Sequence, residues 1–142
     1  MPTLDHLHET IGGALARVDG TPRDAKATTL GPVVTDSRKV KPGDLFWALP
    51  GEHHNGAEFA AEAFSRGASG IVAGTPVDTS PTAWSLTVKN PLKALWQWAD
   101  WNRRRFSGTL IAVTGSVGKT TTRQMIHTVL GSRLSGTASP RN

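Results

Sequence analysis

The residues best suited to chemistry stand in one glycine-rich loop between two apolar segments. In such loops the backbone N–H groups and the following helix N-terminus surround phosphate oxygens, a lysine neutralises their charge, and a serine or threonine binds magnesium. The residues that we expect to contact the nucleotide are Gly115, Ser116, Val117, Gly118, Lys119, Thr120 and Thr121. We predict that this loop binds ATP and Mg²⁺, with Lys119 as the catalytic cation and Thr120 as the magnesium ligand. Thr121 is the alternative ligand.

The loop departs from the general pattern G-x-x-x-x-G-K-[ST], because Val113 stands where the first glycine would be. A turn that merely exposes a lysine is therefore the alternative interpretation. The flanking elements favour a phosphate site, since residues 109–113 form an apolar run typical of a buried strand and residues 119–130 have helical periodicity. The predicted apolar face of that helix comprises Met125, Ile126, Val129 and Leu130. Because an open parallel sheet needs several βα units and the chain ends at Asn142, we expect a truncated ATPase domain.

Upstream of the loop, short apolar runs alternate with segments of helical periodicity, which is typical of α/β proteins. The predicted strands are residues 33–35, 45–49, 71–73 and 84–88, and the predicted helices are residues 4–18, 59–66 and 91–105. The predicted apolar stripe of the last helix comprises Leu92, Leu95, Trp96 and Ala99. We predict a small α/β N-terminal substrate domain over residues 1–90. A linker helix and the start of a parallel-sheet ATP-binding domain follow over residues 91–142.

Composition limits the class of partner. The chain has 142 residues, a formal net charge of +5 and no cysteine, and it contains neither a secretory leader pattern nor a membrane-length apolar run. We therefore expect a cytoplasmic protein with no membrane partner. The basic residues cluster only at Arg103–Arg105, in the predicted last turn of a helix, where cations are favoured. We expect no nucleic-acid contact there, and we expect Trp98 and Trp101 to pack against a neighbouring layer rather than to stack on bases.

Three segments, in order along the chain, resemble those of the Mur ligase family of ATP-dependent amide-bond ligases. The loop at residues 114–121 resembles the family segment T-G-[ST]-x-G-K-[ST], which also lacks the first glycine of the general pattern. Residues 36–48 resemble the block D-[ST]-R-x-[VI]-x-P-G-D-L-F-x-A, and residues 51–59 resemble G-E-x-x-D-G-x-x-F. Asn55 replaces the usual aspartate and Ala57 replaces a common histidine. Polar contacts from these two positions are therefore not implied.

The resemblance covers the chain from residue 30 onward and implies a reaction. In this family the γ-phosphoryl group of ATP activates the carboxylate of a UDP-MurNAc-peptide, and an amine then displaces phosphate from the acyl phosphate. Lys119 and the bound magnesium would carry much of this chain's share of phosphoryl transfer. The N-terminal domain would hold the UDP part of the substrate, with Ser37 and Arg38 as the implied contacts. For Asp36 and Arg38, an ion pair or turn that shapes the domain is an equal alternative.

The resemblance also separates subgroups of the family. Residues 116–117 and residues 139–142 resemble MurF-type enzymes, which join D-Ala-D-Ala to UDP-MurNAc-tripeptide. MurE-type enzymes, which add the third amino acid to the dipeptide, are the first alternative. A folylpolyglutamate or cyanophycin synthase type of ligase shares the loop but not the block at residues 36–48, and a non-catalytic nucleotide-binding module is the remaining alternative. We expect the protein to be a monomer, and we expect that residues 1–142 alone do not catalyse ligation. We interpret His53 and His54 as exposed loop residues rather than metal ligands.

Overall fold

The computed structural model describes residues 1–17, 28–51, 54–79 and 82–139. The chain forms two compact units, Met1–Phe106 and Ser107–Asn142. The helices are α1 (Leu4–Ile11), α2 (Ala60–Ser65), α3 (Pro91–Arg105) and α4 (Lys119–Gly131), with 3₁₀ turns η1 (Ser37–Lys39) and η2 (Gly56–Phe59). The strands are β1 (Ala14–Arg17), β2 (Val33–Val34), β3 (Leu45–Trp47), β4 (Gly70–Ala73) and β5 (Trp84–Thr87).

The strands of the first unit form one five-stranded sheet in the order β1-β5-β4-β3-β2. Strands β2 to β5 run parallel to one another. At one edge of the sheet, β1 pairs with β5 in the antiparallel direction. Every residue of β3 and β4 is buried, as expected for parallel strands that are covered on both faces. The predicted α/β fold class is confirmed. Within the described ranges, no helix is long and apolar enough to cross a membrane.

Alternate side chains of the central strands enter two apolar clusters on opposite faces of the sheet, as the two-residue period of a strand requires. On one face Leu45 and Trp47 of β3 pack with Leu4 of α1 and Trp98 of α3. On the other face Phe46 packs with alanines of α2. The helices therefore cover both faces of the sheet, and the segments that follow the strands are held on a rigid frame.

The prediction of one helix over residues 4–18 is wrong in its second half. Helix α1 ends before Gly12, and β1 begins after Gly13. The two glycines have φ values of 65° and 109°, which lie in the region that glycine adopts without steric cost and that a right-handed helix does not use. Leu15 therefore lies in an edge strand of the sheet, and Val18 lies outside the described residues.

Helix α3 has the predicted bounds because local signals define its start. The Asn90 side chain accepts a hydrogen bond from the Lys93 backbone N–H at 2.9 Å, and Pro91 occupies the first helical position, where no intrahelical N–H bond is made. Trp47 Nε1 donates to the Pro91 carbonyl at 2.8 Å, which attaches the helix to the sheet. The first compact unit thus extends past the predicted boundary at residue 90, while the substrate role of that domain stays a prediction.

The predicted apolar stripe of α3 is largely wrong. The side chains that enter the core belong to Pro91, Ala94 and Trp98, whereas Leu92 is 50% exposed and Trp96 is 70% exposed. Both sets have helical spacing, so periodicity alone does not choose between them. The face that carries Trp98, which also stacks on Trp101, is the one that packs against the sheet.

The second unit contains the predicted loop and helix but not the predicted strand. Helix α4 spans Lys119–Gly131, which confirms the helix, although none of its residues is buried and Met125 is 64% exposed. Residues 109–113 are not a strand, and Leu110 and Ile111 are 62% and 50% exposed. A parallel strand forms only when a neighbour satisfies its N–H and C=O groups, and the structure describes no strand paired with this segment.

Candidate functional site

The glycine-rich loop has a backbone that requires its glycines. Gly115 has φ 147° and Gly118 has φ 79°, and both values lie in the region that other residues rarely adopt. Gly118 is the N-cap of α4 and makes no side-chain cap hydrogen bond. Helix N-termini favour anions, because the backbone N–H groups of the first turn and the helix dipole act together.

Lys119 lies over this loop. Its Nζ donates a hydrogen bond to the Gly115 carbonyl oxygen at 2.6 Å, across the turn that the two glycines make. The contact holds the ammonium group against the backbone of the loop. Thr120 and Thr121, the residues predicted to bind magnesium, follow Lys119 in the first turn of α4. The donors and their order fit a nucleotide phosphate and Mg²⁺.

The side chains of this loop are open to solvent. Val117 is 90% exposed, and Gly115 and Ser116 are also exposed. Close approach of phosphate oxygens to the backbone is therefore not blocked by neighbouring side chains of the second unit. The seven residues predicted from the sequence are brought together at one helix terminus, and their contacts with a nucleotide stay a prediction.

A second polar site lies after β2, at η1, where the sequence placed the Asp36-Ser37-Arg38 block. The Asp36 side chain accepts from the Arg38 backbone N–H at 3.1 Å and so caps the turn. The same carboxylate accepts from Arg38 Nε at 2.9 Å and from Arg38 Nη2 at 3.0 Å, which makes a bidentate pair. The shaping role considered for Asp36 and Arg38 is therefore present, and ligand contact by Arg38 stays a prediction.

The groove beside η1 is basic. It has a volume of about 580 Å³ and is lined by Pro32, Val34, Arg38, Lys39, Val40, Lys41 and Asp44. The Arg38 and Lys39 side chains are 77% and 78% exposed, so their charges are presented to solvent rather than buried. An anionic group of a substrate would find complementary charge along this edge of the sheet.

Sequence reasoning missed Glu62 at this site, which pairs with the predicted residue Ser37. Ser37 is buried, and its Oγ donates a hydrogen bond of 2.6 Å to Glu62 Oε2 in the first turn of α2. Glu62 also accepts from Arg66 Nε at 3.2 Å. These hydrogen bonds, that from Ser37 first, lower the pKa of the Glu62 carboxyl and keep it ionised. The bond from Ser37 joins segments far apart in the sequence, and no local pattern signals it.

The remaining residues considered in the sequence are histidines and tryptophans. Within the described ranges, no group of three His, Cys, Asp or Glu side chains could hold a metal ion. His54 is exposed, as predicted, and His53 lies outside the described residues. Trp98 is buried and stacks on Trp101 with ring centroids 4.7 Å apart, which confirms that these tryptophans pack in the core.

The arginine cluster at the end of α3 is a solvated helix end. Arg104 Nε pairs with Asp100 at 2.8 Å in the i,i+4 arrangement, and the Arg105 guanidinium lies 4.6 Å from the centre of the Trp101 ring. Such contacts are ordinary for exposed helical arginines. The three arginines thus lie in the exposed last turn of the helix, and the expected absence of a nucleic-acid contact stays a prediction.

A loop with two glycines at positive φ, a lysine over it and two threonines at a helix N-terminus has the arrangement of a P-loop. The family described as "Mur ligase family, catalytic domain" matches residues 31–95. The chain belongs to the Mur ligase family.

Known relatives in this family include enzymes of two specificities. The chain is 40% identical over 119 residues to the UDP-N-acetylmuramoyl-L-alanyl-D-glutamate--2,6-diaminopimelate ligase of Rhizobium meliloti, covering 80% of this chain and 24% of the relative. It is 34% identical over 128 residues to the UDP-N-acetylmuramoyl-tripeptide--D-alanyl-D-alanine ligase of Escherichia coli, covering 90% of this chain and 26% of the relative. The chain therefore spans about a quarter of the length of these relatives.

A solved structure has the same fold. The MurF ligase of Thermotoga maritima in complex with ADP superposes with a TM-score of 0.64 at 34% identity, over 78% of this chain and 25% of that one. The likeness confirms the α/β architecture of this chain. It also shows that a protein of this fold binds an adenine nucleotide.

The ion pair at η1 provides a test of the local geometry by pH. The hydrogen bond from the Arg38 side chain, more than any other contact, lowers the pKa of Asp36 from 3.8 to about 2. Because the folded pKa is depressed, the stabilisation is complete above pH 3.8 and is lost as the pH falls through about 2. We expect Arg38→Ala to raise the Asp36 pKa toward 3.8, as measured by NMR titration of the carboxyl carbon.

Lys39→Ala is the matched control for that titration. The Lys39 ammonium lies 3.7 Å from the Asp36 carboxylate and makes the smallest contribution to the lowered pKa. Lys39→Ala removes one positive charge, as Arg38→Ala does, but it leaves the bidentate pair of Asp36 and Arg38 in place. An equal rise of the Asp36 pKa in both variants would show that net charge, and not the hydrogen-bonded pair, sets this pKa.

Proposed function

We propose that this chain is the front part of an ATP-dependent amide-bond ligase that adds D-Ala-D-Ala to UDP-MurNAc-tripeptide through an acyl phosphate in the cytoplasm. The observation that carries the proposal is the placement of Lys119 Nζ over the Gly115 carbonyl at the N-terminus of α4. Membership of the Mur ligase family supports it. The ADP held by the related Thermotoga maritima enzyme supports the assignment of the nucleotide.

The residues of the second unit would perform the nucleotide part of the reaction. When bound, ATP and Mg²⁺ supply the phosphoryl group and the charge neutralisation that activate a carboxylate. The N–H groups at the start of α4 would hold phosphate oxygens, and Lys119 would turn its ammonium from the Gly115 carbonyl to the phosphates. Thr120, with Thr121 as the alternative, would offer a hydroxyl to the metal. Preorganised donors of this kind stabilise developing charge without rearrangement.

The residues of the first unit would hold the other substrate. The basic groove beside η1 and the exposed guanidinium of Arg38 match the charge of a nucleotide diphosphate. Ser37 lies in the same turn and is the second implied contact. We propose that this unit binds the UDP part of UDP-MurNAc-peptide and that D-Ala-D-Ala is the amino substrate of the full-length enzyme, which acts as a monomer.

A MurE-type ligase, which adds the third amino acid to UDP-MurNAc-dipeptide, is the second candidate. The Rhizobium meliloti diaminopimelate ligase favours it, since that relative is 40% identical to this chain. The Ser116-Val117 pair and the resemblance of residues 139–142 to MurF-type enzymes favour the first candidate. Both candidates use the same nucleotide loop and differ in the peptide and the amine.

The test is an ADP-release assay of the full-length ligase with matched substrate pairs. We expect ATP-dependent ADP release with UDP-MurNAc-tripeptide and D-Ala-D-Ala, and background release with UDP-MurNAc-dipeptide and diaminopimelate or lysine. The reverse pattern would assign the MurE type. The chain of residues 1–142 is the negative control, because it is expected to bind ATP weakly and to form no product. Product from that chain alone would contradict the division of the active site proposed here.

A further inference from the structure

The buried hydroxyl of Ser37 has a fixed hydrogen-bond direction. A serine hydroxyl has one proton and two lone pairs. An ionised carboxylate can only accept, so in the 2.6 Å bond to Glu62 Oε2 the proton belongs to Ser37. Ser37 as a whole residue is only 7% exposed, and this burial protects the bond from competing water. Ser37 Oγ therefore has lone pairs to offer a ligand and no second proton.

The fixed direction determines which chemical group Ser37 can recognise. A phosphate oxygen at neutral pH is an acceptor, and two acceptors do not bond to each other. An N–H or O–H group of a ligand, by contrast, can donate to Ser37 Oγ. Arg38, next in the turn, has the opposite property, because a guanidinium is a donor only. Its side chain is 77% exposed, and Asp36 engages its Nε and Nη2.

We propose that Glu62 is a positioning residue of the substrate site, which holds Ser37 as an obligate acceptor for an N–H or O–H group of the nucleoside and leaves the phosphates to Arg38. This inference rests on the proposed function, since it assumes that the first unit binds a uridine diphosphate. The donors available on that ligand are the imide N–H of uracil and the two ribose hydroxyls. Glu62 does not touch the ligand and acts through Ser37.

Three observations support a positioning role for Glu62 rather than a general structural one. Its side chain is 36% exposed, so it is not required to fill the core. Its two carboxylate oxygens have different partners: Oε2 accepts a hydrogen bond from Ser37, and Oε1 accepts one from Arg66. The Arg66 partner is itself 44% exposed, and an exposed i,i+4 pair contributes little to stability. The bond to Ser37 is therefore the contact through which Glu62 acts on the site, because it orients the Ser37 hydroxyl.

The experiment measures, by calorimetry on the chain of residues 1–142, the affinity for UDP and for three analogues that each lack one donor. The analogues are 3-methyl-UDP, 2′-deoxy-UDP and 3′-deoxy-UDP. In the wild-type chain we expect one analogue to bind about tenfold more weakly than UDP, as for the loss of one hydrogen bond. That analogue identifies the donor that Ser37 accepts.

The variants test whether Glu62 causes the difference in affinity between UDP and that analogue. In Glu62→Ala nothing holds the Ser37 proton in one direction, so the hydroxyl rotates and its lone pairs are no longer kept toward the ligand. We expect the ratio of the affinities for UDP and for that analogue to fall to about twofold or less. Ser37→Ala should give the same low ratio. Glu62→Gln retains an oxygen that accepts the Ser37 proton and should keep the tenfold ratio. Arg66→Ala is the matched control, because it removes the other partner of Glu62 and should also keep the ratio.

The outcomes separate this inference from the proposed function. UDP binding by the wild-type chain with equal affinity for all three analogues would overturn the role of Ser37 as an acceptor and leave the substrate assignment intact. A tenfold ratio that survives Glu62→Ala would overturn the role of Glu62. No UDP binding by the wild-type chain would overturn both. Thermal melting by circular dichroism checks folding. Because the Glu62 side chain is only partly buried, the comparison of Glu62→Ala with the wild-type chain stays available if Ser37→Ala does not fold.

Discussion

Replacing Trp98 with alanine is expected to lower the free energy of unfolding of the first unit by about 3–5 kcal/mol. Trp98 is 4% exposed and belongs to the apolar cluster that joins α1, α3 and the sheet. The substitution removes the largest side chain that α3 contributes to this cluster, and it also removes the stacked contact with Trp101 at 4.7 Å. The cost includes the lost burial and the cavity that the rigid sheet leaves behind.

Trp96→Ala is the control for this prediction, because it makes the same chemical change on the same helix. Trp96 is 70% exposed, so its removal should change the stability by no more than about 0.5 kcal/mol. Urea unfolding followed by circular dichroism measures both variants without relying on tryptophan fluorescence. Equal losses from the two variants would show that α3 buries the face of Leu92 and Trp96 in solution.

Helix α3 shows how far the sequence could predict the fold. Its bounds were predicted correctly, because Asn90 and Pro91 are local signals that act within one turn. Its buried face was predicted wrongly, because the choice between the faces of Trp96 and Trp98 depends on the shape of the sheet that the helix covers. Local chemistry thus determined where the helix begins, and packing between distant segments determined which side is buried.

The predictions for residues 4–18 and residues 109–113 were wrong for related reasons. Leu15 continues the apolar spacing of α1, but the positive φ values of Gly12 and Gly13 stop the helix, and β5 offers an edge to which β1 can pair. Residues 109–113 have the composition of a strand, yet the structure describes no neighbouring strand for them. Strand formation depends on a partner that composition does not reveal.

The candidate site was predictable to the extent that it is local. The glycine loop and Lys119 lie within one short segment, so the sequence alone predicts that they lie together. The hydrogen bond from Lys119 to the Gly115 carbonyl is a detail that the sequence does not predict. The Asp36 and Arg38 pair also lies within one turn. Glu62 was missed because it is close to Ser37 only after α2 packs beside η1, and a glutamate on a helix is most often a solvated residue.

Replacing Lys119 with alanine in the full-length ligase is expected to lower kcat by at least about a hundredfold to a thousandfold, the cost of removing one preorganised donor from a developing charge. The left-handed glycines and the bond from the Thr122 N–H to the Gly118 carbonyl at 2.9 Å do not depend on this side chain. The loop should therefore keep its shape and lose only the ammonium charge over the Gly115 carbonyl.

The measurement that isolates this role combines ADP release with calorimetric titration of the UDP-linked substrate. Lys119 belongs to the second unit, whereas Ser37 and Arg38 belong to the first. Lys119→Ala should therefore lower kcat by the factor given above and leave the affinity for the UDP-linked substrate within about twofold of the wild-type value. Lys93→Ala removes the same charge from an exposed position of α3 and should change neither quantity. If Lys119→Ala weakened both nucleotide turnover and UDP-substrate binding, the two roles could not be assigned to separate units, because one charge would then serve both substrates.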